Sequence, residues 1–139
     1  MAIPLRKPNE IDKLRIANIA VAKTLNYLKT TVKAGMTLKQ VDEMGEKFLR
    51  DLGARPSFKG LYGFPAAICT SLNEVIIHGI PTDVVLKEGD ILGIDIGSEI
   101  DGWYGDSAIT MPIGKISKED EALIACAKDS LYYAIDVIK

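Results

Sequence analysis

The stretch Gly89–Gly114, GDILGIDIGSEIDGWYGDSAITMPIG, constrains the fold more than any other part of the chain. Two apolar runs, Ile91–Gly97 and Trp103–Met111, flank Asp101-Gly102, a strong short-range hairpin signal. Asp95 and Asp106 lie inside those runs. Aspartate is depleted from strands, and a buried carboxylate is costly unless it is paired or holds a metal. Register decides how the two acids meet. A four-residue loop, Glu99–Gly102, pairs Ser98 with Trp103 and sets Asp95 directly opposite Asp106, with Cβ atoms ~5 Å apart. A two-residue turn at Asp101-Gly102 makes them diagonal neighbours at ~7 Å. Both registers put the acids on one face, because side chains alternate with period two.

That face carries Ile91, Gly93, Asp95 and Gly97 from one strand and Tyr104, Asp106, Ala108 and Thr110 from the other. The small residues leave room beside the acids. Leu92, Ile94 and Ile96, with Trp103, Gly105, Ser107 and Ile109, form the opposite face, suited to packing on helices. Adjacent carboxylates repel unless they share a proton or a cation. From the hairpin alone a shared proton, a divalent metal and a chance pair of acids flanking a turn all stay open.

The chain has 139 residues and a net charge of −2. Its length fits one domain with a real core. Its charge gives no reason to expect a nucleic-acid or acidic-membrane partner. MAIPLRKPNE lacks the apolar core of a signal peptide, and no apolar run approaches the ~20 residues of a membrane span. Cys69 and Cys126 form no CxxC pair, which indicates a reduced, cytoplasmic setting and no thiolate metal site. No internal repeat or low-complexity stretch is present.

A first helix is predicted from Pro8 to about Ala34, stopped by Gly35. Ile11, Leu14, Val21, Leu25, Leu28 and Val32 give an amphipathic stripe with a gap at Asn18. Thr37-Leu-Lys-Gln40 reads as a capping box for a second helix that Gly53 ends. Both helices read as scaffold over a sheet. Between Arg55 and Cys69, Gly60, Gly63 and Pro65 break the pattern while Phe58, Leu61, Tyr62 and Phe64 supply apolar surface. This segment is either a buried corner or a pocket wall, and the residues by themselves favour the corner. Ala67–Ser71 and Val75–His78 read as short strands around a turn at Leu72–Asn73. His78, the single histidine, stands where that second strand breaks into a loop. A hydrogen-bonded structural histidine is the simpler reading. Its position beside Gly79 and Pro81, just before the acidic hairpin, points instead to proton exchange or hydrogen bonding in a site. Thr82–Asp90 reads as a surface turn with solvated Asp83, Lys87 and Glu88. Ser117 caps a third helix with Glu119, Asp120 and Glu121 in its first turn. That helix is expected to be still running at Lys139, so residues 1–139 read as a single partial domain cut within its last helix.

Asn73-Glu-Val-Ile-Ile-His-Gly-Ile-Pro81, followed by Asp95 and Asp106 in the hairpin, resembles the amino-terminal half of the methionine aminopeptidases, most like the bacterial type I enzymes. The resemblance covers essentially the whole chain. It implies the α+β pita-bread fold of creatinases and aminopeptidases. This chain would be its first pseudo-symmetric half, a curved, mostly antiparallel sheet covered by helices on one face. It implies two divalent metal ions (Mn, Fe or Co), with Asp95 matching the terminal bidentate ligand and Asp106 the bridging ligand. His78 matches the histidine that hydrogen-bonds substrate near the scissile amide. Phe58, Leu61, Phe64 and Cys69 fall where the family lines its methionine pocket. Gly97 stands where many relatives carry Thr or Ser near the metals, so a side-chain contact would be missing there. A histidine and two glutamates complete the family's metal site from its second half, and those segments are absent from this sequence.

The implied activity is metal-dependent removal of the N-terminal methionine of new proteins when the next residue is small. The 139-residue chain alone, with two of five protein ligands, is expected to bind metal weakly and to be inactive. A cytoplasmic monomer as the full-length protein is implied, acting on nascent chains, with ribosome proximity and native metal left open. The alternatives are an Xaa-Pro aminopeptidase and a non-catalytic peptide- or protein-binding module on the same fold.

Overall fold

In the computed structural model, which describes residues 3 and 5–138, Pro8 opens helix α1 (Pro8–Thr31). The Glu10 carboxylate accepts the Lys7 amide at 2.7 Å, closing the helix start. The helix stops at Thr31, short of the expected Ala34. Thr30 and Thr31 turn their hydroxyls back onto the carbonyls of Asn26 and Tyr27, and Val32 is extended with ψ 135°. A β-branched run with hydroxyls that bond locally is a poor helical turn. Gly35, at φ +91°, belongs to the turn that follows. Val21, Leu25 and Leu28 are buried as expected, with Ala17, Ala20 and Thr24 filling the stripe between them, whereas Ile11 is exposed.

Helix α2 (Leu38–Asp51) starts on the expected capping box, with Thr37 Oγ1 accepting from the Gln40 amide and Gln40 Oε1 from the Thr37 amide. Tyr27 of α1 stacks on Phe48 of α2 with ring centroids 4.3 Å apart. Gly45 lets α2 close on the sheet, since a Cβ there would stand 3.3 Å from Ile68. The Asp42 carboxylate accepts the amides of Ala67 and Ile68, both at 2.9 Å, and so pins the sheet to α2.

The sheet is antiparallel, with strands β1 (Arg55–Pro56), β2 (Ile68–Leu72), β3 (Ile91–Ile100) and β4 (Trp103–Pro112). β3 is its spine, with β1 and β2 end to end along one edge and β4 along the other. Ile100 pairs with Trp103, so the connection is the two-residue turn and not the four-residue loop. Asp101 and Gly102 have φ of +51° and +79°, the left-handed pair of a type I′ turn. Its twist matches that of the flanking strands, which is why the shorter loop wins. Leu92, Ile94 and Ile96 are fully buried under α1 and α2.

The expected strand Val75–His78 does not form. Asn73 and His78 both take positive φ (50° and 56°), which breaks a regular ladder at each end. The Val75 amide closes a turn on the Leu72 carbonyl, and just past the segment the Thr70 amide donates to the Gly79 carbonyl. Ile76 and Ile77 consequently stand in the open. Thr82–Asp90 is more than a solvated turn. Leu86 is buried, and the loop exchanges backbone bonds with Gly35, Met36, Leu38 and Lys39. Asp83 pairs with Lys39 at 2.7 Å, and Glu88 accepts the Lys115 amide.

Helix α3 (Lys118–Asp136) is capped by Ser117, whose Oγ accepts from the Asp120 amide. It ends at Asp136; Lys139 lies outside the described residues. None of its described residues is buried. α1 and α2 cover one face of the sheet, while Leu123, Ile124 and Ala127 of α3 share a small cavity with Ile91, Gly93 and Thr110 of the other. No helix among the described residues is long and apolar enough to cross a membrane.

Thr70 lies in the core with its hydroxyl unpartnered among the described residues. An unmet buried hydroxyl costs about 1–3 kcal/mol. Thr70→Val therefore stabilises the chain by about 1 kcal/mol, read as a higher urea midpoint at unchanged slope; a lower midpoint would reveal a partner for the hydroxyl.

Candidate active site

Hairpin register builds the site. Asp95 pairs with Ala108 and Asp106 with Gly97, so the acids are diagonal neighbours on the face turned away from α1 and α2. β2 adds Cys69, which stands directly opposite Asp95. The 3-10 turn Leu61–Gly63 and its flanks form a wall, closed by a hydrogen bond from the Gly60 amide to the Phe64 carbonyl at 2.8 Å. Tyr62 in that turn has φ +48°, a conformation uncommon outside glycine. The loop after β2 brings His78 back over the acids. It can do so because Gly79 has no side chain: a Cβ there would overlap the Thr70 carbonyl oxygen and stand 2.7 Å from its carbon.

These pieces enclose one cavity of about 480 Å³. Its lining includes every residue singled out from the sequence: Phe58, Leu61, Phe64 and Cys69, His78, and the acids Asp95 and Asp106. The segment Arg55–Cys69 is thus a cavity wall and not a buried corner, with Leu61 and Tyr62 exposed. Tyr62, Gly63, Pro65 and Ile80 also line the cavity and were not assigned to it from the sequence. Tyr62 had been read only as apolar bulk; its sequence signal is an aromatic held between two glycines, where the turn must expose it. His78 is exposed and forms no part of a strand, so it is a loop residue aimed into the cavity.

The electrostatics follow from crowding. Burial and then the neighbouring Asp106 carboxylate raise the pKa of Asp95 above the ordinary carboxylate value, with His78 and the Ile96 amide opposing. Burial, reinforced by Asp95 and Asp106, pushes the Cys69 thiol up to about 11, so it is a neutral apolar group at physiological pH. The two acids offer hard oxygen donors suited to a divalent cation. They fit part of such a site: among the described residues no group of three or more His, Cys, Asp or Glu side chains is placed to hold one.

Gly97 adds a steric condition. A Cβ there would overlap Ser57 Oγ and come within 2.6 Å of the Phe58 ring. The space left by the absent side chain is filled by the cavity wall itself.

Because its pKa is raised, folded Asp95 holds a proton that the unfolded chain releases. The resulting stabilisation is complete below the unfolded pKa and is lost as pH rises through the raised folded value. Asp106→Asn removes one cause of the shift. The Asp95 carboxyl then titrates at lower pH in a carbon-13 NMR titration, and the metal-free chain becomes more stable at neutral pH. An unmoved Asp95 would show that the two acids do not interact.

Residues 12–139 match the family model described as "Metallopeptidase family M24". The chain is 55% identical over all 139 residues to a methionine aminopeptidase of Helicobacter pylori, covering 55% of that protein. It is 44% identical over 134 residues to methionine aminopeptidase 1 of Bacillus subtilis, 96% of this chain and 54% of that relative. The chain thus spans about half the length of the curated relatives it matches. The crystal structure of methionine aminopeptidase from Thermotoga maritima superposes with a TM-score of 0.95 at 34% identity, over 99% of this chain and 56% of that one. An X-Pro aminopeptidase structure from the same organism matches at a TM-score of 0.70 and 23% identity, which speaks for the fold alone. The architecture is the α+β pita-bread fold with an open antiparallel sheet. A hairpin bearing two facing acids, the match along 128 of 139 residues (12 to 139) and the structural likeness make this chain a member of metallopeptidase family M24.

Proposed function

We propose that this chain supplies one half of a methionine-removing metalloaminopeptidase, acting on N-terminal methionine when the following residue is small. The observation that carries this reading is that the apolar wall, His78 and both acids share one cavity. Asp95 and Asp106 would hold two divalent ions (Mn, Fe or Co) through their carboxylate oxygens. Bound there, such ions supply Lewis-acid charge and lower the pKa of water. The remaining work belongs to the chain. Phe58, Leu61 and Phe64 receive an unbranched apolar side chain, and neutral Cys69 completes that surface without competing for the cations. His78, an exposed donor and acceptor beside the acids, hydrogen-bonds the scissile amide and steadies charge as it develops.

Two of the five ligands implied by the family lie in this sequence. The 139-residue chain alone therefore binds metal weakly and does not turn over. An Xaa-Pro peptidase is the second reading, supported by structural likeness of the fold. The 55% and 44% identities to proteins named methionine aminopeptidases favour the first. A purely binding module on this fold has no need of the paired acids.

The test uses the polypeptide that the gene makes in its own cell, purified and supplied with Mn²⁺. It cleaves Met-Ala peptides faster than Xaa-Pro peptides, and Asp106→Asn lowers turnover by more than about 100-fold, beyond the effect of losing an outer-shell contact. Faster cleavage before proline would assign the other peptidase. Equal turnover and metal content in Asp106→Asn would remove the acid from the site.

A further inference from the structure

We propose that Asn18 of α1 is a positioning residue for Asp106, holding the strand that carries the acid from outside the cavity. This rests on the metal-binding reading above, but its geometry stands apart from it. Asp106 lies on β4, the strand that among the described residues pairs only with β3. Its amide is donated to Asn18 Oδ1, at 3.4 Å. The other end of the Asn18 side chain is also committed, its Nδ2 donating to the Leu14 carbonyl at 2.9 Å. One half of the amide thus fixes the side chain to its own helix, and the other half meets the strand.

The neighbouring contacts make this a docking point. Ser98, fully buried on β3, donates its hydroxyl to the Ala17 carbonyl at 2.9 Å. Gly105, next to Asp106, lies against the same turn of helix; a Cβ there would stand 2.6 Å from the Ala17 carbonyl carbon and 2.7 Å from the Asn18 nitrogen. Backbone packing therefore sets the distance between α1 and β4, and Asn18 alone adds a directional contact at the acid's own peptide. The bond is long, so it contributes little to global stability. Its effect is on the freedom of one residue. Asp106 is exposed and opposite a glycine, so on its own strand pair its side chain meets only the diagonal carboxyl of Asp95, which repels it when both are ionised. A free edge amide would let the peptide before it rock, and the carboxylate would follow.

Asn18→Ala removes the acceptor and adds no bulk, and alanine is the strongest helix former, so the helix persists. Asn18→Asp keeps an acceptor oxygen but gives up the donor to the Leu14 carbonyl. The full-length polypeptide carrying each change is examined first without metal, by amide hydrogen exchange and by three-bond couplings that report the Asp106 χ1 rotamer, and then by Mn²⁺ titration followed by electron paramagnetic resonance. In Asn18→Ala, Asp106 exchanges faster and its couplings average, Mn²⁺ affinity falls about tenfold, and the urea midpoint stays near that of the parent. Asn18→Asp recovers only part of the slow exchange, because its oxygen can still accept the Asp106 amide while the tie to the Leu14 carbonyl is lost. Unchanged couplings in Asn18→Ala, or loosened Asp106 with unchanged Mn²⁺ affinity, overturns the proposal. If the full-length parent polypeptide binds no Mn²⁺, the metal reading fails, while the metal-free couplings alone decide the role of Asn18.

Discussion

The structure depends on the register between β3 and β4, which a two-residue turn enforces. Asp101 and Gly102 both adopt positive φ, and from that corner the pairing runs unbroken to Ile91 and Pro112. Period-two alternation then sorts the side chains without further instruction. Leu92, Ile94 and Ile96 go to the core, while Asp95 and Asp106 go to the other face. A slip of one residue in one strand would send its acid into the apolar core. The hydrophobic stabilisation of the core and the chemistry of the cavity are therefore held by the same hydrogen-bond ladder. Repulsion between the acids is tolerated because the core face fixes a register that they would not choose.

α1 and α2 serve this arrangement differently. α2 grips β2 through Asp42, whose carboxylate takes the consecutive amides of Ala67 and Ile68 where the strand begins, and so fixes the strand that presents Cys69. α1 lies across β3 and β4, with small residues at the crossing where Gly105 meets Ala17. One helix thus secures the apolar wall and the other the acids. The segment 73–79 that follows β2 is held more lightly, by Asn73 at its start and by the Gly79 contact with Thr70 at its end. Lighter anchoring suits a residue such as His78 that must meet a substrate rather than a core.

Elements written in local chemistry were legible in the sequence. The capping box of α2, the acidic first turn of α3 and the face assignment of the hairpin depend on residues close in the chain. The two acids stood out from the hairpin itself, the pocket residues were reached by resemblance, and the structure brings them around one cavity. What escaped was long-range. The Val75–His78 run has strand composition, yet two positive φ values deny it a ladder. Leu86 looked like part of a solvated turn because the segment at Gly35–Lys39 that covers it lies far away in sequence. Asn18 registered only as a gap in an apolar stripe, since a helix seen alone does not reveal which strand it touches.

The contact at Gly97 bears on how such a site can change over generations. Ser57, Phe58 and Gly97 occupy one small volume, shared between the wall and the strand opposite Asp106. A side chain introduced at 97 is admitted only if the Ser57 hydroxyl and the Phe58 ring turn aside, and their displacement reshapes the wall. A change at any one of the three positions is therefore felt at the other two. The shape of the apolar cavity and the immediate surroundings of the acids are coupled through this one small volume.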